Sequence, residues 1–560
     1  MSPRFLLDHF DLLAEAPGGV ARLRELVLRL AVRGKLVPQD PTDEPASELL
    51  KRIASERARL VKEGKIRTGK PLPPVGADEA PFEVPEGWVW CRLGELCSHG
   101  PSNGWSPPTA DYKTSIKTLK LSATTKGIFD SSQTKYIDTE LPEDCEYWLQ
   151  DGDLLIQRSN TKDYVGMAAL YSGPEATFIY PDLMMRCKIM SLVSRNYVHR
   201  ALVSPPGREY LQERASGTSS SMVKVNQNTV ASCPIPLPPL AEQHRIVARV
   251  DELMALLDRL EAAQGERDTT RLAARDSALA ALRDAADPEE VAAAWRRLEA
   301  RMDDLFQAPE DVPPLRQAIL QLAVRGRLVA QEAGDEPAGA NARRRGGADE
   351  HKEASPIPRN WRSLPLDQVV DSERPISYGV LIPGGDVQNG TPLVRIADLD
   401  ASRPKATPEK RISHDIAAQY ERVRLRGDEI LLGVVGSIGK VGVAHPEWRG
   451  AVVARAVARF AAGPSVAKGF LVAVLSSPHA QDYFTTATRT LAQPTLNISL
   501  IRQLPVPLPP LAEQHRIVAR VDELMALCDR LESRLAAARE AQTALAAAAV
   551  HHIAQPDFAA

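Results

Sequence analysis

Apolar residues at Ile246, Val250, Leu253, Leu257 and Leu260 advance by fours and threes, and many of the positions between them are charged. That spacing predicts a helix with one narrow apolar stripe, the seam of a helix that pairs with another helix. The prolines at 236, 238 and 239 cannot lie inside such a helix but suit its start, and Glu242 in the first turn suits the positive end of the helix dipole. The same register recurs at Ile517, Val521, Leu524, Cys528 and Leu531 and runs on to Leu535 and Ala538. The whole string from Pro236 to Glu261 in fact returns from Pro507 to Glu532, with one difference, Leu257 against Cys528. Repetition that includes surface charges such as Arg249 and Asp258 exceeds what packing alone requires. It predicts two helices doing the same work toward two identical partners, paired antiparallel, each of about 45 residues and so roughly 70 Å long.

A second string is doubled. Leu30 to Val37 returns as Leu322 to Val329, with Lys35 against Arg327 as the one change, and both copies are followed by Asp-Glu-Pro-Ala, at Asp43 and Asp335. Leu23, Leu26, Val27, Leu30 and Val32 give this segment partial helical periodicity before Gly34 ends it. Between the repeated helices the texture changes. From about Pro81, strand-like pieces (Leu154 to Ile156, Ala168 to Tyr171, Thr177 to Tyr180) lie between Gly, Asn, Ser and Pro, which predicts a loop-rich mixed domain. The second half repeats the layout more faintly: Pro358-Arg359-Asn360-Trp361 answers Pro85-Glu86-Gly87-Trp88, and Gly427-Asp428-Glu429-Ile430 answers Gly152-Asp153-Leu154-Leu155. The chain is a tandem duplication in which helical parts match and globular parts diverge.

Composition adds limits. A chain of 560 residues, 44% hydrophobic and 25% charged, has room for several ordinary globular domains. No stretch is apolar long enough to span a bilayer and Met1 to Phe10 lacks a signal-peptide layout, so a cytoplasmic protein with no membrane partner is expected. A net charge of −3 argues against a uniformly basic nucleic-acid binder but permits local basic surface. The six cysteines, at 91, 97, 145, 187, 233 and 528, form no C-x-x-C pair and no metal grouping. Motifs for catalysis fail on inspection. Gly433 to Val441 has the glycines and Lys440 of a phosphate loop, but the spacing is wrong and Val441 stands where a magnesium-binding Ser or Thr is needed. Ser106-Pro107-Pro108-Thr109 and Ser204-Pro205-Pro206-Gly207 lack the aromatic that would stack on a flipped base. Glu350-His351-Lys352 has nuclease-like spacing without an acidic partner ahead of it, and the Arg343-Arg344-Arg345 run beside it fits a solvated linker. His244 and His515 lie at the helix start, where a surface role is expected.

At Pro-Leu-Pro-Pro-Leu-Ala-Glu-Gln-His-Arg-Ile-Val the chain resembles the specificity subunit of type I restriction-modification systems, and the resemblance extends to the Leu-Ala-Val-Arg-Gly string, the Pro-x-x-Trp motif and Ala492 to Asn497. It implies an α+β fold, with two α/β target-recognition domains separated by long antiparallel coiled-coil helices in a pseudo-twofold repeat. The divisions expected are 1–75, a helical segment; 76–235, the first recognition domain; 236–312, the central long helix and its extension; 313–356, the repeated segment and linker; 357–506, the second recognition domain; and 507–560, the C-terminal long helix. The resemblance implies a non-catalytic subunit that recognises double-stranded DNA, each domain reading one half of a split site. It further implies docking of two methyltransferase subunits for adenine N6 methylation, with restriction subunits for ATP-dependent cleavage. S-adenosylmethionine, ATP and magnesium would belong to those partners, and no cofactor or metal to this chain.

Side chains able to read bases or hold phosphates are Asn103, Arg158, Asn160, Lys162, Lys224 and Asn226 in the first domain and Tyr378, Arg395, Lys440, Arg455, Gln493 and Asn497 in the second. Glu242, Arg245 and Arg249, with Glu513, Arg516 and Arg520, are the expected partner-docking residues of the helices. The rival from another class is a coiled-coil scaffold that tethers two modules binding something other than DNA.

Overall fold

The computed structural model describes residues 10–66, 71–217, 222–336, 338, 357–399, 408–488 and 495–554, and falls into two compact units, 1–265 with 540–560, and 266–539.

In the first unit α1 (Gly19–Val32) ends just before Gly34, which turns at φ +66° and lies so close to the Pro85-to-Trp88 motif that an added Cβ would meet Pro85 Cγ at 2.5 Å. Only glycine fits there. β1 (Val89–Arg92) opens the globular part. β2 (Cys97–Asn103), β3 (Leu154–Gln157), β4 (Ala168–Leu170) and β5 (Met184–Ile189) then form an antiparallel sheet in the order β2-β5-β3-β4. The run Leu154, Leu155, Ile156 is buried on both sides, which explains its unbroken apolar character. A smaller sheet of Thr109–Ala110, Lys117–Leu119, Thr134–Ile137 and Phe178–Ile179 forms a second lobe. β6 (Pro234–Leu237) returns to pair with β1, Val89 opposite Leu237, and feeds directly into the long helix α2 (Leu240–Asp284), 45 residues.

The second unit repeats this plan after a short α-helical insertion. α3 (Pro288–Glu299) starts at Asp287, whose side chain accepts from the Glu290 N–H at 2.8 Å, and α4 (Val312–Val324) is the counterpart of α1. Between them Asp311 is buried and gathers Arg271 at 2.7 Å, Arg275 at 2.5 Å and two backbone N–H groups, tying the insertion to the tail of α2. Gly326 again turns at φ +66° with Pro358 Cγ 2.5 Å from where a Cβ would stand. β7 (Arg362–Pro365), β8 (Ser377–Tyr378), β9 (Ile430–Gly433), β10 (Val441–Val443), β11 (Val457–Phe460) and β12 (Pro505–Leu508) take the places of β1 to β6, with sheet order β8-β11-β9-β10 and β7 paired to β12. α5 (Leu511–Ala554), 44 residues, follows β12.

Burial follows the seam. Ile246, Val250 and Leu257, and Ile517, Val521, Leu524 and Cys528, are buried, whereas Leu253 and Leu531 are half-buried. Within the first unit the front of α2 (Leu257) clusters with Leu23 and Leu26 of α1 and with Ala546 and Ala549 from the tail of α5. Within the second the front of α5 (Leu524, Cys528) clusters with Leu315 and Ile319 of α4 and with Leu279 and Leu282 from the tail of α2. Front against tail in both units is the arrangement of an antiparallel pair.

One sequence alignment is corrected. Leu154 faces Cys187 in the first sheet and Ile430 faces Phe460 in the second, while Met184 and Val457 begin the matching strands, so Ile430 answers Leu154. The buried acid ahead of them is therefore Asp153 in one domain and Glu429 in the other, one residue off the Gly-Asp match. Each has a buried arginine at the same place on the neighbouring strand, Arg186 opposite Leu155 and Arg459 opposite Leu431. Burial pushes the Asp153 carboxyl up, against the Gln150 N–H and the Arg186 guanidinium, 3.6 Å away, which hold it down. The alignment by letters followed the glycine; the fold follows the carboxylate.

Candidate nucleic-acid interface

In each domain the strand connections meet at one end of the larger sheet. In the first, β2 ends at Asn103, β3 ends at Gln157 and β5 begins at Met184, and Asn103 lies opposite Met185. Beyond β3, Arg158 N donates to Leu183 O (2.8 Å) and Val225 N donates to Arg158 O (2.9 Å), while Ser159 and Asn160 pair antiparallel with Lys224 and Val223. Asn103, Arg158, Asn160, Lys224 and Asn226 are thus brought to one pole, with Lys162 exposed on the β3–β4 connection. Three of them have internal work: Asn160 Nδ2 donates to Gln157 Oε1 at 2.6 Å, Asn226 Oδ1 caps the helix Gln227–Ala231 by accepting from Thr229 N at 2.8 Å, and Arg158 Nη1 donates to Asp182 O at 3.3 Å. Asn103 Oδ1 is buried with no hydrogen-bond partner.

The second domain builds its pole by the same connections. Val434 N donates to Ala456 O and Leu496 N to Val434 O, both at 2.9 Å, matching the bonds of Arg158 and Val225. Tyr378, Arg455 and Asn497 lie here, and Lys440 closes the β9–β10 hairpin through Gly433 N to Lys440 O at 2.8 Å. That hairpin returns straight into a strand, and Lys440 Nζ donates to Ile396 O at 3.4 Å, so the glycine-rich stretch does not cradle phosphate at a helix start. Tyr378 is a correction. Its hydroxyl donates to Leu496 O at 2.9 Å and so ties the pole together instead of offering its proton outward. Arg395 sits apart from the other readers at the end of Thr391–Val394, beside Asp398 (3.5 Å) and Glu409 (3.7 Å), which balance its charge. Gln493 lies outside the described residues. Sequence reasoning missed Ser106 and Asp182 at the first pole and the exposed Leu381, Ile382 and Val435 around the second; no periodic signal marks them, because they stand on loops.

The helix starts carry the larger correction. Glu242 and Glu513, expected to face a partner, are buried at 1% and 0% exposure. Trp88 Nε1 donates to Glu242 at 2.9 Å and Trp361 Nε1 donates to Glu513 at 3.0 Å, so a carboxylate at the helix start holds the indole that opens the globular part. Gln39 adds a bond of 2.7 Å to Glu242, and Asn360 one of 3.4 Å to Glu513. Burial raises both carboxyl pKa values, and the indole bonds oppose it. Gln243 and Gln514, fully buried, each donate to a proline carbonyl of the preceding strand end at 2.9 Å and accept a backbone N–H, from Ser194 and Ala467. Arg245 and Arg516 turn inward too, to Asp43 and Asp335, both at 2.6 Å. Asp43 and Asp335 are the acids of the doubled Asp-Glu-Pro-Ala, so two strings repeated far apart in sequence are repeated because they touch. Arg24 on α1 reaches Asp258 and Glu261, and Arg316 on α4 reaches Asp529 and Glu532, in the same pattern.

Arg249 and Arg520 instead pair along the helix surface, each with a glutamate of its own helix, Glu252 at 2.7 Å and Glu523 at 2.6 Å. What remains outward is a stripe: Ala241, His244, Ala248, Glu252, Leu256 and Arg259 are all exposed, as are Ala512, His515, Ala519, Glu523, Leu527 and Arg530. Steps of three and four place each set on one face, and Leu256 and Leu527 are 44% and 41% exposed.

Among the described residues no helix is long and apolar enough to cross a membrane, and no group of three or more His, Cys, Asp or Glu is placed to hold a metal ion. Residues 209–266 and 358–538 match the family model described as type I restriction modification DNA specificity domain. Over 94% of its length the chain is 30% identical to the type I restriction enzyme EcoEI specificity subunit of Escherichia coli, covering 93% of that protein. It is 31% identical to the EcoAI specificity subunit of the same species, over 94% of this chain and 92% of that one. A chain solved in work on complex assembly and conformational transition of the type I R-M system superposes over 85% of this chain and 100% of its own, at TM-score 0.51 and 21% identity, and supports the fold. With two globular parts of one topology, two matched helix starts and relatives of one kind along nearly its whole length, the chain belongs to the specificity subunits of type I restriction-modification systems, the non-catalytic subunits that recognise DNA.

Proposed function

We propose that each globular domain turns its pole to one half of a split DNA site, and that the two exposed helix stripes seat two copies of one methyltransferase subunit for adenine N6 methylation. Restriction subunits join that assembly for ATP-dependent cleavage; S-adenosylmethionine, ATP and magnesium belong to the partner subunits. The observation that carries this reading is a contrast between surfaces: the stripes repeat letter for letter, whereas the poles repeat connection for connection and differ in side chains. Identical surfaces suit one partner taken twice, and different loops on one scaffold suit two different targets. Arg158, Lys162, Lys224, Lys440, Arg455 and Asn497 supply the donors that base edges and phosphates accept.

The test is an exchange of residues 76–235 for the corresponding part of a relative of different specificity. The genomic methylation pattern should change in one half of the recognised motif and keep the other half and two methyltransferase copies per complex. A change in both halves would overturn the assignment of one domain to one half-site.

A further inference from the structure

Equivalent corners of the two poles carry opposite chemistry. Because Met184 and Val457 begin matching strands, the residues two places ahead, Asp182 and Arg455, occupy the same corner, and both are exposed. Across from them stand Arg158 in the first domain and Val434 in the second, held by the same backbone bond. An exposed carboxylate is out of place on a surface that meets phosphates, since it repels them. It has a use there if it meets a base edge that offers a hydrogen.

Asp182 is held for such a contact. Ser106 Oγ donates to its Oδ1 at 2.5 Å and accepts from its backbone N at 3.2 Å, and Arg158 Nη1 donates to its carbonyl at 3.3 Å. The serine fixes one carboxylate oxygen and leaves Oδ2 lone pairs for a ligand, while the guanidinium lies alongside with donors beyond the one it spends. An acceptor and a forked donor side by side match the major-groove edge of one C·G pair, in which cytosine N4 offers hydrogens and guanine O6 and N7 accept them. We propose that Asp182, anchored by Ser106, and Arg158 together read a C·G pair in the half-site of the first domain. This rests on the reading of the poles given above. The second domain puts Arg455 and Val434 at the same corner, an arginine where the first has the carboxylate, and does not read a pair in this way.

The experiment uses the full chain assembled with the methyltransferase subunits of its own genome, in a host lacking adenine methylation, and reads the methylated motif by sequencing. The wild-type motif should contain an invariant C·G pair that the single substitution Asp182→Asn relaxes, with methylation of sites altered at that pair rising roughly tenfold or more, as loss of a paired base contact implies. Ser106→Ala, which leaves the carboxylate but frees it, should relax the same pair by a smaller factor, and both variants should unfold at the wild-type midpoint. A motif unchanged in both variants, or relaxed at a pair other than C·G, overturns the proposal while leaving one domain per half-site intact. A wild-type complex that methylates no two-part motif overturns the functional reading itself and this inference with it.

Discussion

Within each unit two regions have followed different rules. Around the helix start, Trp, Glu, Gln, Arg and Asp recur with the same partners and nearly the same distances in both halves: 2.9 and 3.0 Å for the indole bonds, 2.6 Å for both arginine pairs. At the pole the backbone bonds recur but Arg158 is replaced by Val434 and Asp182 by Arg455. The difference lies in what each residue answers to. A buried carboxylate that accepts an indole hydrogen depends on partners fixed inside the protein, so a change on either side leaves a buried polar group short of a bond. A loop side chain at the pole has fewer internal partners to satisfy, so it can change with less cost to the fold.

The strongest way to break this comparison is to remove the indole. Trp88→Ala should cost about 3–5 kcal/mol of stability, from a large cavity and from the buried Glu242 carboxylate losing its indole donor and keeping only Gln39, and Trp361→Ala should cost nearly the same. Urea unfolding of both variants checks it; costs that differ by several kcal/mol would show that the two clusters are alike in geometry only. A smaller effect is expected from the exposed stripe. Leu256→Asp and Leu527→Asp should leave folding intact and each weaken one methyltransferase seat by roughly 2 kcal/mol, about thirtyfold in affinity. Native mass spectrometry should then show complexes with one methyltransferase subunit; retention of two in the double variant would move the docking surface elsewhere.

The smallest effect concerns pH. Because burial raises the Glu242 and Glu513 carboxyl pKa values in the folded protein, folding favours their protonated forms. Their contribution to stability is thus fully present below the ordinary carboxylate range and is lost as pH rises through the raised values. Glu242→Gln, which cannot titrate, should match the wild type most closely near neutral pH and fall behind it as the pH is lowered through that window. Thermal unfolding across pH checks the sign, and a wild type that loses ground to the variant on acidification would contradict it.

Much of the architecture was legible in the sequence because it rests on local period. The stripe from Ile246 to Leu260 gave the long helix, and the run from Leu154 to Ile156 gave a central strand. The direction of Glu242 and Arg245 was not legible. A charge in the first turn of a helix satisfies the dipole whichever way it points, and the tryptophan that draws Glu242 inward stands 154 residues away in the chain. At the poles, Asn, Lys and Arg on loops could be named from the sequence, but the grouping of Asp182 with Ser106 and Arg158 could not, since these stand 76 and 24 residues from it in the chain.

The proline-spaced strands that lead into the long helices have a further effect. In β6 the bond from Leu93 N to Cys233 O sets the alternation, so that Ile235 and Leu237 face β1 while Pro234 and Pro236 face away; in β12 the bond from Leu366 N to Leu504 O does the same for Pro505 and Pro507. The outer margin of each strand therefore has no N–H to give, and Tyr197 and His479 occupy the outward carbonyls of Pro236 and Pro505. A stray strand from another copy finds no N–H donor along that margin. In each two-stranded ribbon the strand that leads into a long helix is thereby closed to ladder donation along its outer edge by its prolines.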